Sequence, residues 1–304
     1  MSDLLLSTAL PLTLIFIMFG MGMTLTIADF VRLKEYPNAI AAGLGGQLLL
    51  LPLMGGFLAV FWGLTPEFAI GMVILAACPG GTTSNVVSFL AKGDRPLSIT
   101  LTAVNSFVVV FTIPLYTALA IQYFAGATDT TIKIPTTQLM FSVFAYTVIP
   151  VSLGMLVRRL APGFARGVGP FYDKIAAIAF TLIVLLIVWS SQDSLMTILP
   201  MVGGITITLS LVMTGIGFLL AHLLAMPKQQ AITLAIEIGI QNTVLGMAVA
   251  AMLDGVNGLS GELMLVPCAV YGLIMYGPAI VMILIGRREN SVQTARAVSS
   301  DLTR

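Results

Sequence analysis

Long apolar runs, separated by short polar connections, dominate this chain. A helix that crosses a bilayer needs ~20 mostly apolar residues, and nine segments reach that length. These segments are 6–28, 38–62, 68–91, 96–124, 136–157, 171–191, 196–224, 229–252 and 262–286. Most of the charges fall between them, in connections such as DFVRLKEYPN and RRLAPGFARGVGP. The pattern predicts an all-α polytopic membrane protein with nine transmembrane helices.

Composition supports the bilayer as the solvent. Charged residues make up 9% of the 304 positions and hydrophobic residues 58%, with a mean hydropathy of +1.03, whereas about 25% of the residues in soluble domains are charged. The 29 glycines suit helices that pack closely in lipid. Cys78 and Cys268 stand in apolar contexts and are expected to be small core residues. The start, MSDLLLSTALPL, has no basic stretch and is expected to lead into the first span rather than to be a cleaved signal. No nucleic-acid partner is expected.

The basic residues decide the orientation. With the C-terminus inside, 13 of the 14 Lys and Arg residues lie on the inner side and only Lys133 lies outside. Positive charge accumulates on the cytoplasmic side of membrane proteins. The sequence therefore predicts a cell-membrane protein with an external N-terminus and a cytoplasmic C-terminus.

Two of the nine segments lack the pattern of an uninterrupted helix. Segment 3 contains Pro79, Gly80 and Gly81 followed by the polar run TTSN, and segment 8 contains EIGIQNT at 237–243. Proline removes a backbone donor, and paired glycines weaken a helix. Paired discontinuous helices in corresponding positions are typical of secondary-transporter binding sites.

The two interrupted segments also occupy corresponding places along the chain. If segments 5–9 form a five-helix unit, the interrupted helix is its fourth member, and segments 1–4 are the same unit without its first helix. Because five is odd, the two units have opposite orientations in the membrane. The layout therefore predicts an inverted repeat.

One carboxylate, Glu237, lies at membrane depth without a Lys or Arg beside it. A charge at the bilayer centre costs ~3 kcal/mol, so this group must be protonated, paired or bound to a cation. Oxygen-bearing side chains also predicted in the spans are Gln47, Ser84, Asn85, Ser98, Thr102, Asn105 and Gln241. Oxygen ligands without imidazole or thiolate suit a hard cation, which leaves sodium or a proton. Each neutral residue, taken alone, also fits an ordinary helix–helix hydrogen bond.

Three motifs carry a family resemblance: IMFGMGMTL at 17–25, ACPGGTTSNVVSFLAKGD at 77–94 and LAIEIGIQNTVLGMA at 234–248. They resemble the bile acid:sodium symporter family over nearly the whole chain. The resemblance implies a single transporter domain over 1–304. Its core helices cover about 38–124 and 196–286, its panel helices about 6–28 and 136–191, and 287–304 form a cytoplasmic tail.

The resemblance also implies two sodium sites where the broken helices cross. The first site is expected to use Ser84, Asn85, Ser98, Thr102 and Glu237. The second is expected to use Gln47, Glu237, Gln241 and the backbone carbonyls of Ile238 and Ile240. Substrate contacts are expected at Thr82, Thr83, Asn242, Thr243, Met275 and Tyr276. Helix N-termini near Thr82 and Asn242, together with bound cations, would attract an anion without any Arg.

The last helix departs from the family pattern. By this resemblance, bacterial members that bind bile acids carry a His-Asn pair at the two positions where this chain has Met275 and Tyr276, within VYGLIMYGPA. The departure argues against bile acid and favours a small organic anion, such as a pyruvate-like or pantoate-like carboxylate. The expected mechanism is sodium symport by alternating access. A monomer is compatible with the sequence, which does not specify an oligomeric state.

Other functions remain alternatives at this point. A proton-coupled carrier would use Glu237 as its proton site, but it would not need the neutral oxygen ligands. An intramembrane aspartyl protease needs YD before GxGD; here GD at 93–94 precedes YD at 172–173, in the reverse order. A channel usually shows polar lining repeated along its spans.

Overall fold

The structure, a computed structural model, describes residues 8–125, 136–169 and 192–301, together with residues 171, 172, 175, 178 and 182. These described residues form helices and contain no strand, which confirms the predicted all-α class. In chain order the helices named below are α1 (Leu10–Thr24), α2 (Ile27–Val31), α3 (Pro37–Phe61), α4 (Pro66–Ala77), α5 (Thr82–Leu90), α6 (Arg95–Phe124), α7 (Thr136–Leu160), α8 (Gln192–Leu223), α9 (Lys228–Gly239), α10 (Thr243–Ala251), α11 (Gly261–Ile274) and α12 (Tyr276–Asp301).

Membrane-length helices match most of the predicted segments. Within the described ranges, six helices are long and apolar enough to cross a membrane, and the number reaches eight if each of two bent pairs counts as one span. One bent pair begins with α1, and the other consists of α4 and α5. The remaining predicted segment, 171–191, lies mainly outside the described residues. Nine spans and the inverted repeat therefore stay predictions.

The first predicted span, 6–28, needs a correction. The helix α1 ends at Thr24, and the helical residues that follow lie at 79° to it. The backbone N–H and the hydroxyl of Thr26 both donate to Asp29 Oδ2 at 2.7 Å, which is a capping arrangement that starts a new helix. Asp29 also pairs with Arg32 at 3.2 Å. Local capping therefore ends the span although the apolar pattern continues.

The helix α3 contains a π-helical turn at Gly46–Leu50. The N–H of Leu51 donates to the carbonyl of Gly46, five residues back. Pro52 follows at once and has no N–H, so the carbonyl of Leu48 loses the donor that it would have in an α-helix. Such turns often occur at functional positions, and this one carries Gln47.

The second interrupted segment lies at the centre of the molecule. The helix α9 contacts α3, α5, α6, α8 and α12, and α10 contacts α1, α4 and α11. Both are almost completely buried. Cys78 and Cys268 are free and buried, with both sulfur atoms next to Gly246, so their predicted role as small core residues is confirmed. The segment that carries Glu237 is thus enclosed by other helices.

Candidate cation site at two broken helices

The two interrupted helices touch at their breaks. Residues 78–81 separate α4 from α5, where Pro79 lacks the N–H that would continue the helix, and the two halves lie at 61°. The helix α9 ends at Gly239, and Ile240 is extended, with φ −113° and ψ 123°. The backbone N–H of Asn242 donates to the carbonyl of Pro79 at 2.7 Å. This bond joins one break directly to the other.

Glu237 lies on the last turn of α9 and is 2% exposed. Its two carboxylate oxygens accept hydrogen bonds from α6, one from the hydroxyl of Ser98 and one from the hydroxyl of Thr102, the latter at 2.8 Å. In the part of the chain that the structure describes, no Lys or Arg contacts this carboxylate. A buried ionised carboxylate without a cation is costly, so Glu237 must bind either a proton or a cation.

Asn85 completes a cluster of oxygen atoms around the same hydroxyls. Its Oδ1 lies 2.8 Å from the hydroxyl of Ser98 and 3.4 Å from that of Thr102. Each hydroxyl has one hydrogen to donate, so it cannot satisfy the carboxylate and the amide oxygen together. Oxygen acceptors therefore outnumber the hydrogens available to them. A cation, which accepts lone pairs from all of them, fits this donor set.

Glycine allows the first break to approach the carboxylate. A Cβ atom on Gly80 would lie 2.9 Å from Glu237 Oε2 and 3.0 Å from the hydroxyl of Ser84. Ser84 is fully buried and donates to the carbonyl of Gly81 at 2.8 Å. The structure thus brings together all five side chains predicted for the first cation site, and they come from α5, α6 and α9.

A second cluster lies beside the first and is built from amides. The Nε2 of Gln47 donates to the carbonyl of Cys78 and to Oε1 of Gln241, each at 2.6 Å. The Nε2 of Gln241 in turn donates to the carbonyl of Ile238 at 2.7 Å. The Oε1 of Gln47 is buried and has no hydrogen-bond partner among the described residues. Two of the side chains predicted for the second site, Gln47 and Gln241, are therefore in contact, and one oxygen of Gln47 is left unsatisfied.

The residues predicted to bind substrate do not all have the same exposure. Thr82 and Thr83 are partly exposed at the start of α5. Asn242 and Thr243 are buried at the start of α10, where the side chain of Asn242 accepts from the N–H of Leu245 at 3.1 Å.

Met275 and Tyr276, at the junction of α11 and α12, differ more strongly. Met275 is 3% exposed and belongs to the apolar core, so it offers no surface to a ligand in this conformation. Tyr276 is 38% exposed, and its hydroxyl lies close to Thr83. Of the two positions, Tyr276 is the one near the start of α5.

Two further buried polar side chains differ in their contacts. Asn105 is one of the oxygen-bearing side chains predicted in the spans, and its buried Oδ1 has no hydrogen-bond partner in the described ranges. The hydroxyl of Tyr271 donates to the carbonyl of Gly239 at the second break, at 2.8 Å, a contact that the residue pattern does not indicate. No spacing rule connects two residues that lie on different helices, so only the fold reveals this contact.

The described fold is that of a helical membrane protein with two discontinuous helices that meet at a buried carboxylate. A family model described as the sodium bile acid symporter family matches residues 11–198. The uncharacterized sodium-dependent transporter YocS of Bacillus subtilis is 32% identical over 247 residues, which cover 81% of this chain and 74% of that protein. The chain therefore belongs to the sodium bile acid symporter family.

Relatives from eukaryotes have comparable similarity. The human ileal sodium/bile acid cotransporter is 31% identical over 78% of this chain and 67% of its own length. The rice protein named probable sodium/metabolite cotransporter BASS1, chloroplastic, is 30% identical over 86% of this chain, but the match spans only 63% of the rice protein. These relatives are named as transporters, which excludes the intramembrane-enzyme interpretation.

Proposed function

We propose that this protein is a symporter that couples inward movement of sodium to import of a small organic anion. The observation that carries the proposal is Glu237, a buried carboxylate that has no basic partner in the described ranges and is surrounded by oxygen-bearing side chains. The names of the relatives cite sodium with bile acid or with a metabolite, which supports sodium as the coupling ion.

The first sodium ion would bind among Ser84, Asn85, Ser98, Thr102 and Glu237. On binding, the hydroxyls of Ser98 and Thr102 turn their hydrogens away from the carboxylate and present lone pairs to the ion. The ion thereby balances the charge of Glu237 and also accepts from the surplus oxygens. Hard cations prefer this kind of all-oxygen coordination.

The second sodium ion would bind between Gln47, Gln241 and the carbonyls of Ile238 and Ile240, with Glu237 shared between the two sites. The unsatisfied Oε1 of Gln47 supports this assignment, because an orphaned buried oxygen is uncommon. The ion would replace the hydrogen bond between the side chain of Gln241 and the carbonyl of Ile238.

Two sodium ions and one carboxylate leave a net positive charge beside the start of α5. No side chain caps that helix end. The N–H of Ser84 donates to the carbonyl of Gly81 at 3.1 Å, which leaves the N–H groups of Thr82 and Thr83 for an anion. Thr82, Thr83, Asn242 and Thr243 surround this position. We propose that they bind a carboxylate group, and that sodium and anion raise each other's affinity by the same factor.

The exposed ring of Tyr276 would limit the size of the anion from the side of α11 and α12. A small carboxylate fits this proposal better than a bile acid, although the ileal relatives are named for bile acid. For transport, the core helices would move against a panel that contains α1, α7 and the segment at 171–191. The proposed location is the cell membrane, with the N-terminus outside.

The test is the thermal stability of the purified protein in sodium and in potassium, each with a series of small carboxylates and one bile salt. A ligand that binds only the folded state raises the melting temperature by mass action. Sodium should raise it by several degrees, and one small carboxylate should raise it further only when sodium is present. Glu237→Gln, which keeps the shape and removes the charge, should abolish both shifts.

The matched control is Glu262→Gln, which removes an exposed carboxylate at the start of α11 and should keep both shifts. Retention of the full sodium response in Glu237→Gln would refute the cation site. A response of the wild-type protein to pH, with none to sodium, would instead assign Glu237 to a proton.

A further inference from the structure

Two tyrosine hydroxyls hold the backbone next to the proposed second cation site. Tyr271 on α11 is fully buried, and its hydroxyl donates to the carbonyl of Gly239 at 2.8 Å. Tyr116 on α6 donates to the carbonyl of Leu48 at 2.7 Å. Neither side chain belongs to the proposed cation ligands. Both bond to a carbonyl that lies one residue away from such a ligand.

The carbonyl of Gly239 needs a partner because α9 ends there. The last carbonyls of a helix have no donor further along the chain, and Tyr271 supplies one from another helix. Thr214 on α8 also packs against this residue, since its side chain occupies the space that a Cβ on Gly239 would need. Gly239 is therefore held in place by residues of two other helices. It lies between Ile238 and Ile240, whose carbonyls are the proposed ligands.

The carbonyl of Leu48 needs a partner for a different reason. In an α-helix it would accept from the N–H of residue 52, which is a proline. Tyr116 replaces that missing donor within the π-helical turn at Gly46–Leu50. Gln47 directly precedes Leu48 and carries the unsatisfied oxygen. The second hydroxyl thus fixes the other half of the same site.

We propose that Tyr271 and Tyr116 are positioning residues that set the coordination geometry of the second sodium ion. The proposal rests on the proposed function. Carbonyl and amide oxygens held at fixed positions bind an ion without first being ordered, and the number and rigidity of such oxygens decide which alkali ion is preferred. Removing a hydroxyl leaves all ligands present but free to shift. Sodium should then bind more weakly and should be distinguished less well from lithium.

The test compares the wild-type protein with Tyr271→Phe and Tyr116→Phe, which remove only the hydroxyls. Thermal stability is titrated with NaCl and separately with LiCl, with KCl holding the ionic strength constant. Each variant should raise the apparent dissociation constant for sodium about fivefold, which is the scale of one net hydrogen bond. The apparent dissociation constant for lithium should rise less. The ratio of the lithium to the sodium dissociation constant should therefore fall.

Thr147→Val is the matched control. The buried hydroxyl of Thr147 donates to the carbonyl of Val143 at 2.6 Å on α7, away from both breaks. Its loss should lower the melting temperature in potassium without changing either ion constant. If the tyrosines had only a structural role, their variants would likewise lower the melting temperature in potassium and leave both ion constants unchanged. Should Tyr271→Phe fail to fold, Tyr116→Phe carries the test.

The outcomes separate the two proposals. If the wild-type protein responds to sodium while both tyrosine variants keep its sodium constant and its ion preference, the positioning role is refuted and the proposed function stands. If the wild-type protein shows no sodium response, the proposed function is refuted, and the positioning role falls with it.

Discussion

Thr100 and Thr102 on α6 have the same side chain, are both completely buried, and differ only in what their hydroxyls contact. Thr102 donates to Glu237 Oε2 at 2.8 Å. The hydroxyl of Thr100 has no hydrogen-bond partner among the described residues. A buried hydroxyl without a partner destabilises the folded state, whereas one that meets a carboxylate is a strong interaction. A comparison of the two residues therefore distinguishes the effect of cation coordination from the effect of burial.

Replacing each threonine by valine should change sodium binding in one case and not in the other. Thr102→Val removes an oxygen from the proposed first site and should raise the apparent sodium constant about tenfold, the factor that corresponds to ~1.4 kcal/mol. Thr100→Val should leave that constant unchanged and keep or raise the melting temperature, because a methyl replaces an unsatisfied hydroxyl. Sodium titrations of thermal stability measure both. Equal sodium constants in the two variants would remove Thr102 from the site.

Residue patterns predicted much of the candidate site, for identifiable reasons. Glu237 was recognisable because a charge in an apolar run has few explanations, and Ser98 and Thr102 because a spacing of four puts them on one helix face. The approach of Gly80 to Glu237 and the bond from Tyr271 to Gly239 join residues far apart in sequence. Such contacts depend on how helices cross, which local spacing does not encode.

At the scale of whole elements, α1 and α7 form a close helix pair through reciprocal glycines. A Cβ on Gly22 of α1 would collide with the backbone of Val151 on α7, and a Cβ on Gly154 of α7 would collide with the backbone of Phe19. In lipid, helices associate through such close packing, since the apolar medium gives little drive for association. Small residues at facing positions therefore determine this pair.

Gly154→Ala should lower the stability of the protein by roughly 1–3 kcal/mol, the usual cost of overpacking, because both colliding atoms belong to the backbone. The sodium constant should stay within about twofold of the wild-type value, since neither helix provides a proposed cation ligand. The control is Gly163→Ala, a helical glycine with open space around its Cβ position, where alanine favours the helix. A large change in the sodium constant of Gly154→Ala would contradict the expectation that the packing of α1 against α7 does not affect the cation site.

Apolar length predicted the helices well and their interruptions less well. Among the described residues, runs of about 20 apolar residues located six helices of membrane-spanning length, or eight if each bent pair counts as one span. Pro79 with its glycines marked the break between α4 and α5. The bend after Thr24 and the π-helical turn at Gly46–Leu50 were not predicted. Both occur where a few hydrogen bonds are gained or lost, by capping at Thr26 and by the missing donor of Pro52. An average over a hydrophobic window does not register such events.

At the scale of the whole molecule, several basic connections meet at one end. The side chain of Arg287 donates to the carbonyl of Leu90 at 3.1 Å, which puts α12 beside the connection that carries Lys92 and Arg95. The N–H of Asp94 donates to the carbonyl of Gln229 at 3.2 Å, next to Lys228. The charge pattern had assigned all of these positions to the same side, and their contacts support a shared side. The positive-inside rule predicts that this shared side is cytoplasmic.

Introduced cysteines should show which end faces the cytoplasm. Thr65 precedes α4 and Gly163 lies in the helical stretch 162–169; both are exposed and are predicted to be outside and inside, respectively. The native Cys78 and Cys268 are fully buried, so the wild-type protein is the unlabelled control. A membrane-impermeant maleimide should label Thr65→Cys in intact cells, and Gly163→Cys only after permeabilisation. The reverse pattern would invert the proposed orientation.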